Sequence, residues 1–511
     1  MVKSKQQSLE DSIPVTRQEL WENLLDKDYV IPPPITTVSA HWLYEGENRL
    51  DGGYYGSNAQ SAKIIVNDCG YPVETLGNIT EEIFILGRFK RIYASDKNAG
   101  YPYLGASEAL QFRPTSDRYL AKDHLPKHPE KHFVKKDWIL MSCSGTVGRA
   151  VISTERLEKF FLTHDLARIV PKNFPFVGYI YAFLSSWIGQ ALITKDQYGS
   201  AIKHLESHHI SSVPIPILHK SEQELVHNEI IRAYQLREKA NQLLDEADEL
   251  LHQELGLPYF DESLVPYLSE PKNQPSNRPK MPPLQAFTTQ LSELGDRFDC
   301  SYHIPTAKTA IHLLSKAKYQ ITQIKNLTQE IFIPFRFKRV YVSKKYGAPF
   351  LLPSQITQIK FWERKYLSRS ANQKSIESCE LQNGWLVVSR SGTIGKTMYI
   401  THYLNNWIGS DDLLRIISDH QKCHPGFLYS FLDSPYGQLQ MIAAVYGAVI
   451  GHLEEHHLKN IFIPDVPLNI QSEIGEKVVK AFEYKEEANL IEEKAIKFIE
   501  EKLQKIFVDL R

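Results

Sequence analysis

The sequence predicts an α+β protein made by tandem duplication. A mixed α/β domain followed by a long helix occurs twice, and the two helices pack as an antiparallel coiled coil. Three observations predict this. Blocks of the first half recur in the second at a nearly constant shift. Each copy breaks into short apolar runs separated by Gly, Pro and Asn. Each copy then ends in a stretch almost free of Gly and Pro.

The duplication is legible residue by residue. Leu76–Tyr93, LGNITEEIFILGRFKRIY, and Ile324–Tyr341, IKNLTQEIFIPFRFKRVY, are identical at eleven of eighteen positions, 248 residues apart. Ser142–Gly148, SCSGTVG, returns as Ser389–Gly395, SRSGTIG, and Tyr198–His209, YGSAIKHLESHH, as Tyr446–His457, YGAVIGHLEEHH. Even the entry matches, Arg49, Asp51 and Tyr54 pairing with Arg297, Asp299 and Tyr302. A period this long is no solenoid repeat, so each copy holds its own core.

Along the first copy, Glu82–Leu86, Trp138–Met141, Leu166–Val170 and Val213–Ile217 read as strands. Phe176–Ile193 is apolar enough to resemble a membrane span. Its counterpart carries Asp433 and Pro435, which predicts a buried core helix instead. Ser221–Leu255 has no Gly or Pro and Gln471–Leu510 has only Gly475, so both read as long helices. Leu236, Ala240, Leu243, Ala247 and Leu250 form a heptad-like seam on the first helix, and Tyr484, Ala488, Ile491, Ala495 and Phe498 on the second. Large residues alternate with Ala, as a helix–helix contact requires; packing on each helix's own domain is the alternative. Ser269–Pro283 holds five prolines in fifteen residues and reads as a semi-rigid linker.

The composition is ordinary for a globular chain: 42% hydrophobic, 23% charged, 59 basic against 60 acidic residues. This excludes a disordered or collagen-like chain and a uniformly basic coat protein. Five scattered cysteines without a C-x-x-C pair exclude a disulfide framework or zinc ribbon and point to a reducing cytoplasm. The polar Met1–Glu10 has no signal-peptide core.

Charge is segregated. Phe84–Arg149 carries a net +6 and Phe332–Lys396 a net +9, whereas Ser221–Leu255 carries −6 and Gln471–Arg511 −2. Basic domains on acidic helices suit a polyanion. Arg88, Lys90 and Arg91 form an R-F-K-R cluster that returns as Arg336, Lys338 and Arg339. Such clusters suit phosphate contacts; strand-edge charges that block aggregation are the alternative.

Other chemistry is poorly served. Ser391–Thr397, SGTIGKT, lacks the spacing of a phosphate-binding P-loop and reads as a tight turn after a strand, with Ser, Thr and glycine amides exposed. His204, Glu206, His208 and His209 return as His452, Glu454, His456 and His457. This H-x-E-x-H order is not the metalloprotease pattern, and the sequence places no third ligand, although a metal-dependent enzyme built on this segment is the different-class alternative. No nucleophile elbow, cofactor loop or adenine-methyltransferase tetrapeptide is present. The expectation is a binding protein with no cofactor, no metal and no catalysis of its own.

The duplicated S-x-S-G-T-x-G turn after an apolar strand, the Y-G-x-x-I/V-x-H-L segment before an I-P-I-P-type strand, and the long helix after each resemble the DNA-specificity (S) subunits of type I restriction–modification systems. The resemblance covers nearly the whole chain. It implies a first target-recognition domain with leader over 1–220, a spacer helix over 221–258, a linker over 259–283, a second recognition domain over 284–468 and a second spacer helix over 469–511. Each recognition domain would read one half of a bipartite double-stranded DNA site. The subunit would hold two adenine methyltransferase subunits on DNA, often with motor-nuclease subunits; a relative serving another methylation-based system is the alternative. The expected DNA-contacting residues are Arg88, Lys90, Arg91, Ser142, Ser144, Gly145, Thr146, Arg149 and Lys203 in the first half. In the second they are Arg336, Lys338, Arg339, Ser389, Arg390, Ser391, Gly392, Thr393 and Lys396. Cys143 stands where the second copy has Arg390. Likeness between the two recognition domains suggests similar half-sites.

Overall fold

The computed structural model describes residues 58–94, 96–172, 176–199, 202–266, 286–295, 297–371, 373–447 and 451–509. The entry residues Arg49, Asp51 and Tyr54 and the proline-rich linker lie outside them. The chain forms two compact units. One takes residues up to Leu110, Pro114–Tyr234 and the second long helix from Asn489 onward; the other takes Gln111–Arg113 and Gln235–Ala488.

In the first unit, strands β1 (Val73–Thr75), β2 (Thr80–Phe84), β3 (Gly100–Leu104), β4 (Tyr119–Ala121), β5 (Ile139–Ser142), β6 (Ala150–Ile152), β7 (Phe161–Leu162), β8 (Leu166–Pro171) and β9 (Pro214–Pro216) build three small sheets. Their orders are β2-β8-β5-β6, β4-β3-β7 and β1-β9, antiparallel except for the β3–β7 pair. β5 is buried along its whole length, as its run Ile-Leu-Met demands.

The second unit repeats the plan. Strands β10 (Ile321–Gln323), β11 (Thr328–Phe332), β12 (Tyr341–Val342), β13 (Gly347–Leu351), β14 (Lys365–Ser368), β15 (Leu386–Ser389), β16 (Thr397–Tyr399), β17 (Ile408–Gly409), β18 (Leu413–Ser418) and β19 (Phe462–Pro464) order as β11-β18-β15-β16, β12-β14-β13-β17 and β10-β19. Even the irregularity recurs: the register shifts between Thr80 and Glu82 in one copy and between Thr328 and Glu330 in the other.

The apolar stretch at 176–193 is two helices, Val177–Ser185 and Trp187–Thr194, bent by 74° at Ser186. Ser186 breaks the run because its hydroxyl caps the second helix at the Gly189 amide, 3.1 Å away. Ser434 does the same in the second copy, ahead of Pro435. Tyr179, Ile180, Tyr181, Phe183 and Leu184 are buried, so this is core. Among the described residues no single helix is long and apolar enough to cross a membrane.

The long helices span Lys220–Leu255 and Leu468–Asp509. Within the first unit Lys502 binds Glu222 at 2.7 Å. Within the second, Lys477 binds Glu246 at 2.8 Å, and the charge of Arg237 acts on Lys485. One number falls as the other rises, so the helices run antiparallel. The expected seam needs correction. Ala240, Ala247, Ala488 and Ala495 are buried, and Leu236 and Ile491 are 9% exposed. Leu243, Leu250, Tyr484 and Phe498 are only half-buried. The deep positions are one residue later, at Leu244, Leu251, Lys485, Glu492 and Ile499. Two causes misdirect a heptad reading. Leu243-Leu244 and Leu250-Leu251 offer two seams each, and the true one carries buried polar residues: Arg237, Asn241, Lys485, Asn489 and Glu492. In the second unit the helices also merge with the domain, since Ala240, Leu244, Ala247 and Leu251 share one core with Leu386, Leu414, Phe427 and Phe482.

Candidate nucleic-acid interface

The S-x-S-G-T-x-G motif is the β5–β6 connection in one unit and the β15–β16 connection in the other. Its first serine staples the turn. The Ser142 hydroxyl donates to the Thr146 carbonyl at 2.6 Å and accepts from the Arg149 amide at 3.0 Å. Ser389 does the same with the Thr393 carbonyl and, at 2.9 Å, the Lys396 amide. Gly145, Gly148, Gly392 and Gly395 have φ of +76°, +87°, +76° and +77°, which L side chains rarely adopt. The tip, Gly145-Thr146 and Gly392-Thr393, is exposed.

The second motif lies against this turn. Tyr198 and His204 exchange amide–carbonyl bonds of 3.1 and 2.8 Å, as Tyr446 and His452 do at 3.2 and 2.7 Å. The Leu205 amide donates to the Cys143 carbonyl and the Gly145 amide to the Lys203 carbonyl; Leu453 likewise reaches Arg390. Segments some sixty residues apart in sequence thus build one platform, the same in both units.

The R-F-K-R segments lie outside the strands rather than in a ladder. Phe89 turns inward onto His132, Phe161 and His164. That leaves Arg88, Lys90, Arg336 and Lys338 exposed. Arg88 lies 3.5 Å from the His204 ring, so this segment borders the platform. Arg91 binds Asp165 at 3.2 Å, and Arg339 binds Asp411 and the Ser410 hydroxyl; Arg336, though exposed, lies 3.9 Å from the same Asp411 carboxylate.

Several expected DNA-contacting side chains therefore do not face outward. Ser142 and Ser389 are 3% and 1% exposed, their hydroxyls consumed by the turn. Arg390 is ion-paired with Glu454, which also accepts from the Tyr446 hydroxyl at 2.6 Å. Where Cys143 replaces Arg390, burial pushes the thiol up to about 12. Ser144 and Ser391 sit at bridges to His204 and His452, and Arg149 and Lys396 are half-buried. Gly145, Thr146, Lys203, Gly392 and Thr393 remain exposed, as do Arg88, Lys90, Arg336 and Lys338.

Two of the repeated histidines, His209 and His457, have a structural task. His209 Nδ1 accepts the Glu206 amide and His457 Nδ1 the Glu454 amide, each at 3.1 Å, capping a short helix. Burial above all, then the neighbouring His456 and Arg297, lowers His457 to about 4, which keeps it neutral for this role. Among the described residues no three His, Cys, Asp or Glu side chains converge on a metal position.

Two residues escaped the sequence reading. Arg168 in β8 and Arg415 in β18 are fully buried. Arg168 donates to the Leu162 and Leu166 carbonyls, and Arg415 to Cys379, Gly409, Ser410 and Leu413. Burial lowers each guanidinium to about 10. They lock the loops bearing Asp165 and Asp411. The signal was present: LARIVP and LLRIIS each place one arginine in an apolar strand.

The family described as "Type I restriction modification DNA specificity domain" matches twice, over residues 81–236 and 344–497. Among solved structures, the type I S subunit from M. genitalium is 12% identical, covering 86% of this chain and 96% of its own, with a TM-score of 0.33. The HsdS subunit from Thermoanaerobacter tengcongensis is 13% identical over the same shares, with a TM-score of 0.25. The type IIG restriction endonuclease BpuSI is 15% identical over 42% of this chain and 33% of its own, with a TM-score of 0.27. No curated protein matches. The two family matches together take in more than half of the chain, which belongs to the type I restriction–modification DNA-specificity family.

Proposed function

We propose that this chain is the DNA-recognition subunit of a type I-like restriction–modification complex. Each half reads one part of a bipartite double-stranded site, and the chain positions adenine methyltransferase subunits, two of them, together with motor-nuclease subunits. It works in the cytoplasm and performs no chemistry itself. The domain limits 1–220, 221–258, 259–283, 284–468 and 469–511 belong to this reading.

One observation carries it. The turn at Ser142–Gly148 and the paired Tyr198 and His204 make a platform bordered by Arg88, and the platform recurs where Ser389–Gly395 meets Tyr446 and His452. Two equal platforms with basic rims suit two contacts on one duplex. In this reading Arg88, Lys90, Lys203, Arg336 and Lys338 bind phosphates and fix register, while the exposed turn tips at Gly145-Thr146 and Gly392-Thr393 approach the backbone closely.

Co-expression with the neighbouring methyltransferase gene product, followed by mapping of methylated adenines in host DNA, tests it. The expected result is a bipartite motif with a fixed gap. A stable complex that leaves no new methylation refutes it.

A further inference from the structure

A cleft of about 380 Å³ opens beside the first platform, between Ser144-Gly145 of the turn and the β3–β4 region. Its chemistry is concentrated in one arginine. Arg118 pairs with Glu108 and lies over the rings of Tyr93 and Tyr103, 5.7 and 5.5 Å from their centroids. Glu108 is itself fixed, its other oxygen accepting the Gly105 amide at 2.5 Å. The Ser116 hydroxyl, 2.6 Å from the Tyr103 carbonyl and 2.8 Å from that of Arg118, pins the backbone on both sides. Anchoring leaves further guanidinium N–H groups for the cleft. The Tyr103 hydroxyl is buried beside Thr163 at the same wall.

The second copy separates frame from variable part. The frame is shared: Arg91 and Arg339, Asp165 and Asp412, Ser144 and Ser391, Gly145 and Gly392. The reader position is not. The ladders place Pro102 opposite Tyr119 and Pro349 opposite Tyr366, so Arg118 corresponds to Lys365 and Tyr103 to Phe350. Gln355 takes the place of Glu108, and its amide donates to the Trp362 carbonyl instead. A group that only touched phosphate would have no reason to diverge within a preserved frame, whereas a group that reads a base does.

We propose that Arg118 reads a guanine in the half-site bound by the first unit, with Glu108 as its positioning residue. A fixed, planar fork of donors matches guanine O6 and N7, and a lysine cannot reproduce it. The two half-sites then differ at this base pair. The inference rests on the proposed recognition function.

Methylome mapping tests it, with the full complex carrying R118A, R118K, E108Q or, as control, K365A. R118A and R118K should lower the preference for guanine at one position of one half-site roughly ten- to a hundredfold, leaving the other half-site intact. E108Q should relax the same position less, and K365A should leave it unchanged. Should R118A prove unstable, R118K and E108Q decide the matter. An unchanged motif overturns the proposal, as does an even loss of methylation at all sites, the mark of a phosphate contact. A wild-type complex that methylates nothing overturns the recognition function itself.

Discussion

Replacing Lys485 with Met should stabilise the protein. Lys485 is 4% exposed, and its ammonium has no hydrogen-bond partner among the described residues. Burial, then the charge of Arg237, lowers its pKa from 10.5 to about 7. A fall of that size corresponds to about 5 kcal/mol at neutral pH. The Phe112 ring, 4.5 Å away, returns about 2 kcal/mol as a cation–π contact. The net cost is about 3 kcal/mol, and Met fills similar space without it. The pH dependence follows from the sign. The unfolded chain binds the proton more tightly, so between pH 7 and 10.5 wild-type stability rises with pH. The advantage of K485M should be full at pH 7 and nearly gone by pH 10. Urea unfolding followed by circular dichroism at pH 7 and 9.5 measures both. If K485M is less stable at pH 7, or its advantage does not narrow by pH 9.5, Lys485 is charged and partnered and the reasoning fails.

Removing Arg88 and Lys90 together by alanine should weaken DNA binding alike for all sequences and lower the salt slope by about 2, read from affinities between 50 and 200 mM salt. Ser389→Ala strips the second turn of its staple and should cost about 1–3 kcal/mol of stability, measured by thermal unfolding. His457 has a folded pKa below its ordinary value, so its contribution is present above about pH 6.5 and is lost as pH falls towards 4. His457→Asn should flatten that part of the stability–pH curve.

The architecture was legible because duplication supplies its own control. One copy's SCSGTVG is an ordinary turn, but its return beside a second Y-G…H-L segment marks a platform. What stayed hidden depends on direction. Sequence names Ser142 and Ser389 as polar turn residues, but only the folded backbone shows the hydroxyl pointing inward at Thr146 or Thr393. Likewise Arg88 and Arg91 look equivalent in R-F-K-R until Asp165, seventy-four residues on, neutralises one of them. The seam at Leu244 and Leu251 was masked by the paired leucines and by Lys485 and Glu492, which no apolar pattern would select.

The division of the long helices has a consequence for synthesis. The first unit is not finished when its own segment has been made. The Tyr181 hydroxyl and the Trp187 amide find their carboxylate partners in Glu492 and Glu500, 311 and 313 residues later. The second unit, Gln235–Ala488 with only three earlier residues, is almost contiguous. At 5–20 residues per second, about 13–50 s separate the emergence of Tyr234 from that of Asn489. During that interval the domain made first stands with one wall missing, and the domain made last can close before it. Ribosome stalling in the second copy therefore strands the first, which makes the early segment the natural client of a holding chaperone.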